Sequence, residues 1–179
     1  MPDVIDRYQD FRTRRFLRNE EKFQHWLPGW RIQKRRRALV VTLCATFACM
    51  IVVAAICLVN MLGAVLWLPV VVVFLPVWTT LQVVSGRQSD APRDALDERE
   101  LRQRDSARSI GLTVTQCLAM VPAFALIVAG SSDGAITFPT YSAGMFVLTA
   151  LIIGACTPAM ILAWTRTDPE PDDYLTEAA

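Results

Sequence analysis

The 179-residue sequence is 53% hydrophobic yet 20% charged, and 18 Lys and Arg against 17 Asp and Glu leave a net charge of only +1. A mean hydropathy of +0.33 alongside that many charges requires apolar and charged residues to be segregated along the chain. That segregation excludes one evenly patterned domain and predicts an all-α integral membrane protein in which long apolar helices alternate with charged segments.

Residues 1–37 form a basic and aromatic arm, with eleven Lys and Arg against five Asp and Glu, a local charge near +6. Val4, Tyr8 and Phe11 fall at helical spacing, and Phe16, Phe23, Trp26 and Trp30 are interleaved with arginines. This predicts an amphipathic helix lying in the membrane interface, broken by Trp26-Leu27-Pro28-Gly29-Trp30, with the two indoles at head-group depth. Anionic lipid is the expected ligand of Arg14, Arg15, Lys34, Arg35, Arg36 and Arg37, assisted by Trp26 and Trp30. Nucleic acid would also suit basic residues with aromatics, but the arm is tethered beside a membrane, so no nucleic acid is expected. Basic residues ahead of an apolar run also outline a signal peptide. Here the leader is 37 residues, the run far exceeds the usual ~7–15, and no small-x-small site ends it, so an anchor is expected.

From Ala38 to Val84, 47 consecutive residues lack Asp, Glu, Lys, Arg and His. That is about twice the roughly 20 residues one helix needs to cross a bilayer, so the run must turn back. Asn60-Met61-Leu62-Gly63 supplies turn-forming residues, giving expected spans at 38–59 and 62–84. The charged segment 85–108 follows. Ser89-Asp90-Ala91-Pro92 reads as a helix start, and Glu98/Arg102 and Glu100/Arg104 sit four apart in the acid-first order that pairs along a helix. With no clear apolar stripe, the segment is expected to run into the third span as a charged stalk. Glu98, Glu100, Arg102 and Arg104 are its expected partner-binding residues; a solvated connector without a partner is the plainer alternative. Asp97-Glu98-Arg99-Glu100 followed by Arg104-Asp105-x-Ala107 resembles the DERE…RDxA stretch of small actinobacterial multi-pass membrane proteins. The resemblance covers about a dozen residues. It implies a bacterial plasma-membrane protein and supplies no mechanism.

Uncharged stretches at 109–129 and 141–164 predict a second transmembrane hairpin, completing a four-helix bundle. Residues 1–37 hold eleven Lys and Arg and 85–108 hold six, whereas the turn at 60 and the loop 130–140 hold none. Both termini are therefore expected in the cytoplasm, with Asp133 the one charge on the far side. The tail 165–179 is acidic and proline-bearing, a composition expected to stay disordered.

Within the spans, Thr113, Thr115 and Gln116 form the most polar cluster, and the Gln116 amide is expected to bond across to another helix. Gly144, Ala150 and Gly154 offer close packing on the fourth helix. Pro69, Pro76, Pro122 and Pro158 are expected to kink their helices, or to mark a transport path. All five cysteines lie in the spans without a CxxC pair, so packing is expected rather than a redox or metal cluster. Leu39-x-Val41-Thr42-x-Cys44 lines up with Leu112-x-Val114-Thr115-x-Cys117, which would fit two parallel halves.

The spans carry no carboxylate or His of the kind a proton-coupled carrier uses, and the one His, His25, sits in the arm. Neither a serine nucleophile with its base nor a phosphate-cradling glycine loop is present. The expected function is therefore non-enzymatic, without cofactor or metal. The protein is expected to be an accessory, assembly or scaffolding subunit of a larger membrane complex, or a homo-oligomer. A small oligomeric channel or transporter is the alternative.

Overall fold

The computed structural model describes Phe11, Arg14 and residues 32–60, 63–85, 97–131 and 139–166. Four long helices account for nearly all of them: α1 (Gln33–Ile56), α2 (Gly63–Val84), α3 (Glu98–Ser131) and α4 (Thr140–Thr165). No strand occurs among the described residues. All four helices are long and apolar enough to cross a membrane, as in a multi-pass membrane protein. In hydrocarbon a backbone N–H or C=O has no water to bond, so a lone crossing segment is helical. The 22 residues of α2, the shortest of the four, rise about 33 Å at ~1.5 Å per residue, enough for a core of ~30 Å. The expected interfacial helix and acidic tail fall outside the described residues, apart from Phe11 and Arg14, which are helical and exposed.

Local chemistry sets the helix ends. α1 starts at Gln33, five residues ahead of the apolar run, because Lys and Arg are good helix formers and its hydrogen-bond ladder continues through the basic cluster. It closes in a turn in which the Asn60 N–H donates to the Ile56 carbonyl at 2.9 Å and the Gly63 N–H to the Asn60 carbonyl at 3.0 Å. A Cβ at Gly63 would meet the Cys57 Sγ at 2.9 Å, so the close return favours glycine there. α3 begins where Asp97 Oδ1 accepts the Glu98 N–H at 2.7 Å, with Glu98 and Glu100 favourably placed in a first turn whose N–H dipoles point outward. The expected start at 89–92 lies outside the described residues. From Glu98 the charged segment and the apolar span are one unbroken helix.

α1 and α4 lie between the other two helices. α1 packs on α2 and on α4, α4 packs on α3, and α2 touches α4 only slightly. On α1 the buried positions Leu39, Leu43, Phe47, Met50 and Ala54 recur every three or four residues, one stripe of a helix that is apolar all round. Leu39, Leu43, Phe47 and Met50 meet Leu81 of α2 and Cys156 and Ala163 of α4 in the main core, with Trp67, Phe74 and Trp78 packed against it. Phe47 and Phe74 have ring centroids 6.1 Å apart and tilted, and Phe74 stacks on Trp78 at 6.4 Å. Helix polarity follows from cross-helix contacts. The Ser142 hydroxyl at the start of α4 donates to the Ala54 carbonyl near the end of α1 at 2.7 Å, and Gly111 near the start of the α3 span faces Pro158 in the second half of α4. α4 is therefore antiparallel to both neighbours.

Candidate functional site

Three helix ends meet at one level. The Arg36 side chain in the first turn of α1 is 2% exposed, and its Nη2 donates to the Arg166 carbonyl, at the end of α4, at 2.9 Å. Arg166 in turn donates from Nη1 to the carbonyl of Ser85, which follows α2, at 3.2 Å. The last carbonyls of a helix lack intrahelical donors and carry the negative end of its dipole. A guanidinium is the side chain best matched to them. The two arginines thus clasp α1, α4 and α2 together. Arg37 points the other way, its guanidinium 5.0 Å from the centre of the Trp164 ring, and Lys34 and Arg35 are exposed.

The basic cluster expected to serve lipid therefore divides. Lys34, Arg35 and Arg37 face outward, while Arg36 is turned inward as a clasp between helix ends. Arg14 is exposed, and Arg15, Trp26 and Trp30 lie outside the described residues. Below Arg37, Val40 of α1 and Thr157, Met160, Ile161 and Trp164 of α4 line an open, almost wholly apolar groove of about 340 Å³. Apolar walls under a cationic rim match the two halves of an amphiphile. Sequence reading missed Arg166 and Ser85. A single arginine after an apolar helix, with an arginine cluster elsewhere on the same side, was the available signal, but nothing local says which helix end it reaches.

The charged part of α3 is asymmetric. Glu98 and Arg102 are exposed and paired at 2.8 Å, Glu100 is half-buried, and Arg104 is 2% exposed. Arg104, expected on the outer surface and paired with Glu100, instead packs inward and bonds Asp105 at 3.1 Å. Ala107, one turn on, is also buried. Farther along, α3 and α4 approach closely. A Cβ on Gly154 would collide with the Thr115 side chain and lie 3.0 Å from its Cα, and one on Gly111 would lie 2.7 Å from Pro158. Of the small residues expected to permit packing on α4, Ala150 and Gly154 are buried, while a Cβ on Gly144 would meet nothing within 4 Å.

The polar cluster of α3 resolves into two environments. Thr113 and Thr115 satisfy their hydroxyls within the helix, donating to the Ser109 and Gly111 carbonyls at 3.1 and 2.7 Å. Gln116 is exposed on the side away from α4 and has no hydrogen-bond partner among the described residues, so the expected bond to another helix of the same chain is not made. Pro69 and Pro76 are both exposed on α2, and α2 and α3 have no substantial contact, so the prolines and Gln116 do not converge within one chain. The five cysteines are free thiols, and among the described residues no three His, Cys, Asp or Glu side chains gather as a metal-binding group. Comparison with protein-family models, curated proteins and solved structures gives no match, so the functional reading rests on this geometry alone.

Proposed function

We propose that the protein is a non-enzymatic integral membrane protein of a bacterial plasma membrane that works by association, as an accessory, assembly or scaffolding subunit. The observation that carries this reading is the distribution of polar chemistry. The charged side chains of the described helices collect at one end, where Arg36 and Arg166 are spent on holding helices together and Glu98 and Arg102 remain outward. By the excess of Lys and Arg on that side, the end faces the cytoplasm together with both termini. Lys34, Arg35 and Arg37 contact anionic head groups there, and the groove under Arg37 receives an acyl chain.

Gentle extraction from native membranes, followed by mass spectrometry of what stays bound, tests the reading. Wild-type protein is expected to retain a stoichiometric membrane partner, and the double variant Glu98→Lys/Arg102→Glu to insert normally but lose it. An unchanged set of bound proteins would overturn the assignment of this surface. The alternative, a small channel or transporter, predicts solute flux from the purified protein alone in liposomes, where an accessory subunit is inert.

A further inference from the structure

We propose that the protein self-associates as a parallel two-fold dimer through the free face of α3, with Gln116 of each copy hydrogen-bonded to its counterpart near the centre of the bilayer.

The depth of Gln116 follows from packing. Its neighbour Thr115 lies against Gly154, which is twelve residues before Arg166 and fourteen after Thr140, close to the midpoint of α4. At ~1.5 Å per residue the amide is about 18 Å from the level of the arginine clasp, well within a hydrocarbon core of ~30 Å. An exposed amide at that depth has no water to bond and no partner among the described residues, so the outer face of α3 is incomplete as it stands.

The same face is continuous. Ser109, Thr113, Gln116, Met120, Ala123 and Ile127 recur every three or four residues and are all exposed. Towards the cytoplasmic end the stripe continues through Asp105, Arg102 and Glu98, exposed as well. Ser109, Thr113 and Ala123 beside one amide suit a helix contact in lipid, where close backbone approach and hydrogen bonding replace the hydrophobic effect.

The chemistry identifies a second copy as the occupant. A carboxamide carries both donor and acceptor, so two glutamines related by a two-fold axis along the membrane normal satisfy each other, as an isologous contact requires. The cytoplasmic extension does not oppose this. Asp97, Glu98, Glu100 and Asp105 balance Arg99, Arg102, Arg104 and Arg108, four against four, and acids at 98 and 105 lie about one turn from the Arg102 of the other copy. Two α3 helices seal against each other and line no pore, so the dimer is compatible with a scaffold that presents two charged segments side by side.

The test uses the purified full-length chain in liposomes of neutral lipid, so it does not depend on any accessory role. In a background free of native cysteines, Thr113→Cys and Met120→Cys are expected to cross-link to dimers under copper-phenanthroline, while Val72→Cys, exposed on α2, is not. Energy transfer between donor- and acceptor-tagged copies is expected to persist on dilution with lipid. Gln116→Leu is expected to weaken association about 3- to 30-fold, with Gln116→Asn close to wild type. A monomer at every protein-to-lipid ratio, equal cross-linking through α2, or identical dilution curves for wild type and Gln116→Leu would each overturn the proposal. Loss of co-purifying partners from the extraction experiment would leave it standing.

Discussion

Gly144 and Gly154 share one helix, and a methyl group added to each meets opposite surroundings. At Gly144 it enters open space, whereas at Gly154 it strikes Thr115 in the face of α3. Gly154→Val is therefore expected to destabilise the α3–α4 pair by about 1–3 kcal/mol, the usual cost of overpacking, with Gly144→Ala close to neutral. Unfolding in mixed detergent and SDS micelles measures both. Arginine positions differ by the same logic. Arg36→Gln removes a buried guanidinium from the end of α4 and is expected to cost about 1.5–3 kcal/mol, the range for hydrogen bonds to charged groups, whereas Lys34→Gln at an exposed position of the same turn leaves stability unchanged. Equal effects at 34 and 36 would show that the clasp holds nothing. The Glu98–Arg102 pair, both side chains more than 70% exposed, is worth only a few tenths of a kcal/mol in an exposed helix. Arg102→Ala should leave the unfolding midpoint in place, and a large shift would mean that the pair contributes more than its exposure allows.

At the scale of elements, the four apolar helices were legible in the sequence because length without charge is a signal that tertiary context cannot override. The turn at Asn60 was legible for the same reason, since two crossings cannot fit in one helix and glycine tolerates the return. Packing was not. In lipid every face of α1 is apolar, so nothing in the pattern separates Leu43, fully buried, from Val41 two positions earlier, which is 58% exposed. The matching stretches at Leu39 and Leu112 illustrate the limit. Leu39 is 8% exposed in the core and Leu112 is 61% exposed on the outside of α3, so similar sequence sits in unlike environments. Inward and outward arginines were equally indistinguishable before the helices were set side by side, since one residue of phase, about 100° of helix, separates Arg36 from Arg37. The polar cluster was found as a group, but only the register between Thr115 and Gly154 shows that Gln116 points away from α4. A consequence for the elements is that α3, which packs substantially on α4 alone among the described helices, is less protected than α1, which packs on both α2 and α4. Hydrogen exchange in nanodiscs is expected to show α3 exchanging faster than α1, and uniform protection across the four helices would contradict it.

The described helices gather their charged side chains at one end of the bundle and carry few at the other. The antiparallel course of α1, α4 and α3 brings Lys34 to Arg37, Glu98 to Arg104 and Arg166 to one end, and the far ends carry Asn60, Ser131 and Thr140. Association through that end, lipid contact through its outward cations and the proposed dimer through α3 all presuppose this sidedness. Single-cysteine labelling with an impermeant maleimide, in right-side-out and inverted vesicles from cells, tests it directly. Arg99→Cys and Thr165→Cys are expected to react only in inverted vesicles, and Asn60→Cys and Ser131→Cys only in right-side-out ones. Labelling of Arg99→Cys and Ser131→Cys from the same side would contradict the four crossings and with them the account built on them.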